Sequence, residues 1–173
     1  MAVVLETERL LLRHLEPEDT DAIFAVIGDP IAMQYYPQPF TREGAVSWIE
    51  RNRQRYAADG YGLYAMVLKA SGEVIGDCGI LKQLVESEPE FEVAYHLQRN
   101  HWGRGYATEG ARACMRLAFA EFGAEKVISL IRPENVPSRQ VAERNGMIVE
   151  RLVTFAGLPH LVYAMKRGEY EQT

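Results

Sequence analysis

The sequence contains two cysteines and four histidines, and neither residue type is arranged as a metal or redox site. Cys78 and Cys114 are far apart in the chain and form no CxxC pair, so we expect two reduced core residues of a cytosolic protein. The histidines are scattered without the spacing that metal ligands need: His14, His96, His101 and His160. We therefore expect no metal cofactor and no disulfide framework.

The chain also lacks the features of a membrane protein or a nucleic-acid-binding protein. No apolar run approaches the length of a membrane span, and no basic segment precedes an apolar one at the N-terminus. The net charge is −5, and the Lys and Arg residues form no stripe interleaved with aromatic side chains. We therefore expect a cytoplasmic protein that binds neither membranes nor, directly, nucleic acid.

The chain has no internal repeat, low-complexity tract or linker, so we expect a single domain over residues 1–173. Its hydrophobic periodicity predicts an α/β fold with a mixed sheet. Strands are predicted at 10–12, 61–68, 73–82, 90–97, 127–131, 147–155 and 158–166. Helices are predicted at 18–27, 42–58 and 106–120, with a short fourth helix that has Pro137 near its start.

A glycine-rich segment connects the predicted strand 90–97 to the predicted helix 106–120. From Trp102 to Gly110 it runs Trp-Gly-Arg-Gly-Tyr-Ala-Thr-Glu-Gly. The first amides of a helix lack intrahelical acceptors and the helix dipole adds positive charge, so such a turn suits a phosphate group. It is not a dinucleotide fingerprint, because Thr108 replaces the third glycine, and it has no lysine for a Walker loop. An ordinary tight connection is the alternative interpretation.

A second segment strengthens the phosphate interpretation. It runs from Asn135 to Met147 with the pattern Asn-x-x-Ser-x-x-x-x-Glu-Arg-x-Gly-Met. Together with the glycine-rich segment and the strand that ends Tyr-His-Leu at Leu97, it resembles the GNAT superfamily of acyl-CoA-dependent N-acetyltransferases. The stretch Glu-Thr-Glu-Arg-Leu-Leu-Leu-Arg from Glu6 is similar to the RimJ/RimL-type branch, which acetylates the N-termini of ribosomal proteins. The resemblance covers nearly the whole chain.

The resemblance implies a mixed sheet of six to seven strands flanked by about four helices, with acetyl-CoA as cosubstrate. It implies that the pyrophosphate binds the backbone of Gly103, Arg104, Gly105, Tyr106, Ala107 and Thr108, where glycine allows close approach. The Arg104 side chain would add a charged contact or remain a solvated loop cation. Asn100 stands where the family usually has Gln or Arg. The pantetheine arm would pair with the backbone of Leu97, Gln98 and Arg99, with Asn135 on its other side.

Two side chains are candidates for the proton transfers. Many GNAT members use a tyrosine acid, but Ala142 occupies that position here, so the resemblance assigns the role of acid to Ser138; alternatively, Ser138 is simply an early helix residue. Glu92 is the predicted base, because strand alternation puts this carboxylate on a face of a central strand that should be apolar. The resembled branch carries glutamate at the same position. His96 is the rival base, or a structural histidine.

The acceptor site is the least determined part of the sequence. Tyr35 and Tyr36 would wall the acceptor cleft, or serve only in packing. Glu86, Glu88 and Glu90 suggest a solvated loop around Pro89, although any of them lining the cleft would favour a cationic substrate.

The resemblance implies acetyl transfer to a primary amine, on a peptide N-terminus or a small molecule, by direct attack in a ternary complex. No covalent enzyme intermediate is expected, because both cysteines are predicted to be buried. The alternatives are a polyamine, amino-acid or antibiotic acetyltransferase and a non-catalytic acyl-CoA-binding sensor. We expect a monomer or a homodimer.

Overall fold

The computed structural model describes residues 3–172, which form one eight-stranded sheet with helices on both faces. Residues 1, 2 and 173 of the predicted domain lie outside the described range. The strands are β1 Val3–Glu6, β2 Leu10–Arg13, β3 Leu63–Leu68, β4 Val74–Val85, β5 Glu88–Leu97, β6 Lys126–Ile131, β7 Ile148–Phe155 and β8 Leu158–Lys166. The α-helices are α1 Thr20–Ile27, α2 Arg42–Ala58, α3 Tyr106–Glu121, α4 Val136–Arg144 and α5 Arg167–Tyr170, with 3₁₀ turns at Pro17–Asp19 and Arg99–His101.

The sheet is mixed, as the hydrophobic periodicity predicts. Its strand order is β1-β2-β3-β4-β5-β6-β8-β7, and β5 and β6 are its parallel pair, with all other neighbours antiparallel. The eighth strand is β1, which the periodicity missed because it is four residues long and exposed at both ends. The fifth helix, α5, has only four residues. The α/β fold class is confirmed.

The hairpin of β4 and β5 is longer than the sequence predicts. The strands continue to Val85 and restart at Glu88, joined by a two-residue turn in which Glu86 and Ser87 have φ values of 52° and 69°. Two positive φ angles suit a tight turn whose twist matches the flanking strands. Pro89 is tolerated in β5 because its nitrogen points away from β4, along an edge that β6 reaches only at Phe91. Residues 86–89 are exposed, as the interpretation of a solvated loop requires, but it is wrong about the loop, because residues 88–90 belong to strand β5.

Helices cover the two faces of the sheet. Helix α3 packs on one face through a stripe of buried side chains: Ala111, Cys114, Met115 and Ala118. Helices α1 and α2 bury Ile23, Ile27, Ala45 and Ile49 on the other face. The Cys78 and Cys114 Sγ atoms lie 3.7 Å apart in the core as free thiols, so these residues are buried as predicted and, beyond the prediction, in contact.

The parallel strands β5 and β6 separate soon after they meet. Their ladder within residues 3–172 has two residue pairs, Phe91 with Val127 and Glu92 with Ile128. The Ser129 hydroxyl then donates to the Val93 carbonyl at 2.7 Å, after which the two strands diverge. The resulting gap leaves a backbone edge of β5 without a neighbouring strand and opens a space between the two halves of the sheet.

Candidate active site

A cavity of about 300 Å³ lies at the gap between β5 and β6 and joins the residues that the sequence singles out. Glu92 and His96 enter it from β5, and Tyr35 and Tyr36 enter it from the segment between α1 and α2. Helix α4 contributes its first turn, with Asn135 and Ser138. The turn between β7 and β8 closes the far side. The fold therefore brings the predicted acid, the predicted base and the predicted acceptor wall to one cavity.

Glu92 is buried in this cavity with one oxygen free. The residue is 8% exposed, and its Oε2 atom has no hydrogen-bond partner in the described part of the chain. Burial raises the pKa of Glu92 to about 7, against smaller opposing effects of His96, Gln83 and Arg55. A carboxylate with a pKa near neutrality and an unoccupied oxygen can accept a proton from a ligand.

His96 belongs to a chain of hydrogen bonds. A carboxylate can only accept, so His96 Nδ1 donates to Asp77 Oδ1 at 2.6 Å, and Trp48 Nε1 donates to the other Asp77 oxygen at 2.8 Å. In neutral His96, Nε2 then accepts from the Tyr36 hydroxyl at 2.7 Å. Burial opposes the charged form, but Asp77 and Glu92 outweigh it and raise the pKa of His96. The basic nitrogen of His96 is thus covered by Tyr36, whereas Glu92 has an open oxygen.

Asp77 and Trp48 are site residues that sequence reasoning missed. Asp77 is 1% exposed in the apolar strand β4, and Trp48 lies on the stripe of α2 that faces the sheet. A lone aspartate inside an apolar strand is the signal that could have identified it, since a buried carboxylate requires partners.

Helix α4 positions Ser138 and Asn135. The Asn135 side-chain oxygen accepts from the Ser138 N–H at 3.2 Å and caps the helix. The Ser138 carbonyl accepts from the Tyr95 hydroxyl at 2.9 Å, which fixes this turn against β5. Ser138 is therefore an early helix residue that also lines the cavity, and its role as acid stays a prediction. Ala142 is buried in the core, and no hydroxyl is available from that position.

The glycine-rich segment presents bare backbone at the N-terminus of α3. Gly103 and Gly105 have φ values of 72° and 82°, which favour glycine, and within the described chain no atom lies within 4 Å of a Cβ built on Gly103. The Thr108 hydroxyl is buried and has no partner among the described residues. A second cavity of about 650 Å³ adjoins this turn and includes Arg9, Arg112, Arg116 and Arg144. Free backbone, an unpartnered hydroxyl and four cations fit a phosphorylated ligand.

The open edge of β5 carries backbone groups suited to an extended ligand. The Gln98 N–H donates to the Ile75 carbonyl on β4, so alternation directs the backbone groups of Val93, Tyr95 and Leu97 to the gap. The Leu97 carbonyl accepts from the Trp102 indole at 2.8 Å. Of the three residues predicted to bind pantetheine, Leu97 therefore faces the gap, whereas the Gln98 amide is directed to β4.

Two of the predicted cofactor-binding residues are arginines, Arg99 through its backbone and Arg104 also through its side chain, and their side chains have different surroundings. The Arg99 guanidinium forms an ion pair with Asp29. The Arg104 side chain is exposed, and its carbonyl accepts from the Arg9 guanidinium at 2.8 Å. Arg9 also pairs with Glu109 at 2.7 Å, which holds the glycine-rich turn to β2.

The acidic residues before Glu92 face elsewhere. Glu90 pairs with Lys126 at 2.8 Å and Glu86 with Arg151 at 3.1 Å, and among the described residues neither these two nor Glu88 lines the cavity. Arginines line it instead: Arg51, Arg55 and Arg132. No group of three His, Cys, Asp or Glu side chains in residues 3–172 is arranged to hold a metal ion, and none of the described helices is long and apolar enough to cross a membrane.

Comparison with known proteins identifies the family. Residues 9–148 match the acetyltransferase (GNAT) domain. The chain belongs to the GNAT acetyltransferase family. Protein YkkB of Bacillus subtilis, which is named as uncharacterized, is 35% identical over 163 residues, 94% of this chain and 95% of the relative. The N-acetyltransferase YnaD of the same organism, also named as uncharacterized, is 29% identical over 144 residues, 83% of this chain and 81% of the relative.

Solved structures agree with this assignment. An acetyltransferase from Agrobacterium tumefaciens is 29% identical with a TM-score of 0.82, and the match covers 96% of this chain and 95% of that one. RimL, a ribosomal-protein α-N-acetyltransferase in complex with coenzyme A, has a TM-score of 0.77 at 16% identity, over 97% of this chain and 99% of that one. At that identity the likeness concerns the fold alone. The GNAT chain described here is an acetyl-CoA-dependent acyltransferase, as the sequence predicts.

Proposed function

We propose that this GNAT enzyme transfers the acetyl group of acetyl-CoA to a primary amine in a ternary complex, as one cytoplasmic domain. The observation that carries the proposal is the unpartnered oxygen of Glu92, buried in a cavity at the gap between β5 and β6. The cavity wall includes Ser138, and the glycine-rich turn that would bind the phosphates lies at the N-terminus of α3.

Acetyl-CoA would be held along the gap. The backbone from Gly103 to Thr108 would bind the pyrophosphate, aided by the Thr108 hydroxyl that has no other partner in the described range. The Leu97 N–H, which is directed to the gap, and the Asn135 side chain would bind the pantetheine arm. The bound thioester supplies the acetyl group that the amine takes.

Two proton transfers accompany the reaction. An α-amino group has a pKa of about 8 and a lysine amine one of about 10.4, so the acceptor arrives mostly protonated. Glu92 would accept that proton through its open oxygen, directly or through water. Ser138 would donate a proton to the departing sulfur. His96 is the alternative base, but its acceptor nitrogen is covered by the Tyr36 hydroxyl.

The proposal is tested by combining an acceptor screen with a binding measurement. We expect free thiol to form from acetyl-CoA only when a suitable amine is present, with peptide N-termini and small-molecule amines screened side by side. Glu92→Gln should bind CoA with wild-type affinity in calorimetry while turnover falls about 100-fold. Tight CoA binding without turnover on any amine would favour the acyl-CoA sensor instead.

A further inference from the structure

The acceptor side of the 300 Å³ cavity is cationic. Arg51 and Arg55 lie one turn apart on α2 and both line the cavity, and Arg132 enters it just after the end of β6. Three arginines in the wall of an acceptor site are unexpected, because the amine that must enter is itself a cation before it reacts.

The two α2 arginines have no carboxylate within 4.0 Å among residues 3–172. Of the other arginines of the same helix, Arg53 lies 3.5 Å from Glu50 and 3.9 Å from Glu16, and Arg42 lies 2.8 Å from Asp21. Arg51 instead stacks against Trp48, with 5.9 Å from its guanidinium to the ring centre. Arg55 donates to the Asn52 side-chain oxygen at 3.1 Å. The other two arginines of α2 are therefore paired with carboxylates, whereas the two cavity arginines form no ion pair within the described residues.

The surroundings of Arg55 and Arg132 favour the binding of a negative group. Burial and, next, the neighbouring positive charge of Arg51 lower the pKa of Arg55 from its usual value, against smaller opposing effects of Asp59, Glu92 and Tyr56. The Arg132 Nε atom is buried without a partner in the described chain, although its other nitrogens contact Glu134 and the Tyr35 carbonyl. A bound anion would relieve both conditions, and guanidinium groups match the geometry of carboxylates and phosphates.

The opposite charge lies in the same cavity. Glu92, with its open oxygen, is 8% exposed and is close enough to Arg55 for that charge to act on its ionisation. A ligand that satisfies both regions carries an amine for Glu92 and an acidic group for the arginines. A polyamine would satisfy Glu92 and be repelled by the rest of the wall.

We propose that the acceptor is a small amine that also carries an acidic group, either an amino acid or an aminoalkyl phosphate or phosphonate. Its amine would meet Glu92, and its acidic group would bind Arg51, Arg55 and Arg132. The cavity volume of about 300 Å³ is at the small end of ligand sites, which suits such a molecule better than a peptide. This inference rests on the proposed acetyl transfer and names the substrate class for it.

Matched acceptors test the proposal in the intact enzyme. Each amino acid is paired with the amine that remains when its carboxylate is removed, and a phosphonate analogue forms a third arm. We expect kcat/KM to be at least about 10-fold higher for the acid-bearing members, since a charge-assisted hydrogen bond is worth that much. The better of the carboxylate and phosphonate arms identifies the acidic group. Equal kcat/KM values, or higher values for the amines without an acidic group, would overturn the inference. A peptide acceptor with a higher kcat/KM than both series would also overturn it.

Substitutions then locate the acidic group. Arg51→Gln combined with Arg55→Gln should raise KM for the acid-bearing acceptor about 10-fold or more relative to KM for its decarboxylated partner, since the effect of Arg55 on Glu92 is common to both acceptors. If the double variant unfolds, Arg51→Gln alone is used for the same comparison, because Arg51 is at an exposed position. Arg53→Gln on the outer face of α2 is the control and should change neither. An unchanged preference in the cavity variants would refute the assignment.

A binding measurement separates this inference from the proposed reaction. The N-acetylated products of both acceptor series are titrated into the CoA-loaded protein by calorimetry. The acid-bearing product should bind at least about 10-fold more tightly, and Arg51→Gln combined with Arg55→Gln should remove most of the difference. Such binding without thiol release from any acceptor would refute the acetyl transfer alone. Thiol release with no binding preference would refute the substrate class alone.

Discussion

Replacing Glu92 by glutamine should stabilise the protein and inactivate it over the same range of pH. The pKa of Glu92 is about 7 in the folded protein, against an ordinary value of 4.5. At 1.36 kcal/mol for each pKa unit, ionising Glu92 costs about 3 kcal/mol of folding free energy. Below pH 4.5 the residue is protonated in both folded and unfolded states, so the cost vanishes. It grows as the pH rises from 4.5 to about 7 and stays constant above that.

The assay is denaturant unfolding of the wild type and of Glu92→Gln between pH 5 and pH 8. The variant should gain stability relative to the wild type as the pH rises, approaching about 3 kcal/mol at pH 8. The kcat/KM of the wild type should rise through about pH 7 because the base must be ionised, and in the variant it should fall about 100-fold. Glu88→Gln, at an exposed position of the same strand, is the control and should change neither quantity.

Two results would refute this reasoning. A variant with no stability gain at pH 8 would mean that ionised Glu92 does not lower the free energy of unfolding of the wild type. An acidic limb that moves with the acceptor's own amine pKa, or that survives in Glu92→Gln, would belong to another group. Comparing two acceptors of different amine pKa distinguishes these cases.

Three further outcomes are expected. Ser138→Ala should lower kcat about 10- to 100-fold with little change in KM for acetyl-CoA; a wild-type rate would assign the acid to water or another hydroxyl. Gly103→Ala should weaken CoA binding several-fold in calorimetry, whereas Gly123→Ala, with a similar φ of 65° and equally open space, should not; equal loss in both would indicate backbone strain alone. His96→Gln should move the acidic limb of the kcat/KM profile to higher pH, because the His96 charge lowers the pKa of Glu92; an unmoved limb would contradict that coupling.

The parts of the fold that are encoded locally could be predicted from the sequence. Helix α3 follows from its apolar spacing, and α4 follows from Asn135 and Pro137 at its start. Strand β1 could not be predicted, because four half-exposed residues carry no periodicity and gain their order from pairing with β2. The β4–β5 hairpin was underestimated because Pro89 usually ends a strand, and its tolerance depends on where β6 begins.

The candidate site also contains residues that the sequence could predict and residues that it could not. Glu92 was identifiable as a charge on a face that should be apolar, and the glycine-rich turn was identifiable from its composition. The pairing of His96 with Asp77 was not, because the two residues become neighbours only through the register of β4 and β5. The arginines of the cavity wall could not be predicted either. Arg51 and Arg53 look alike in sequence, and only the packing of α2 on the sheet decides which of them lines the cavity.

The separation of β5 from β6 also affects how firmly the two halves of the sheet are held together. In the described chain the sheet is continuous at that place through two residue pairs and one serine hydroxyl. A cosubstrate lying in the gap would take the place of a ninth strand. It would form hydrogen bonds with the β5 backbone groups that have no neighbouring strand. Its free energy of binding then adds to the resistance of the whole fold to unfolding. In each catalytic cycle, the junction between β5 and β6 would become more stable when the cosubstrate binds and less stable when the product CoA leaves.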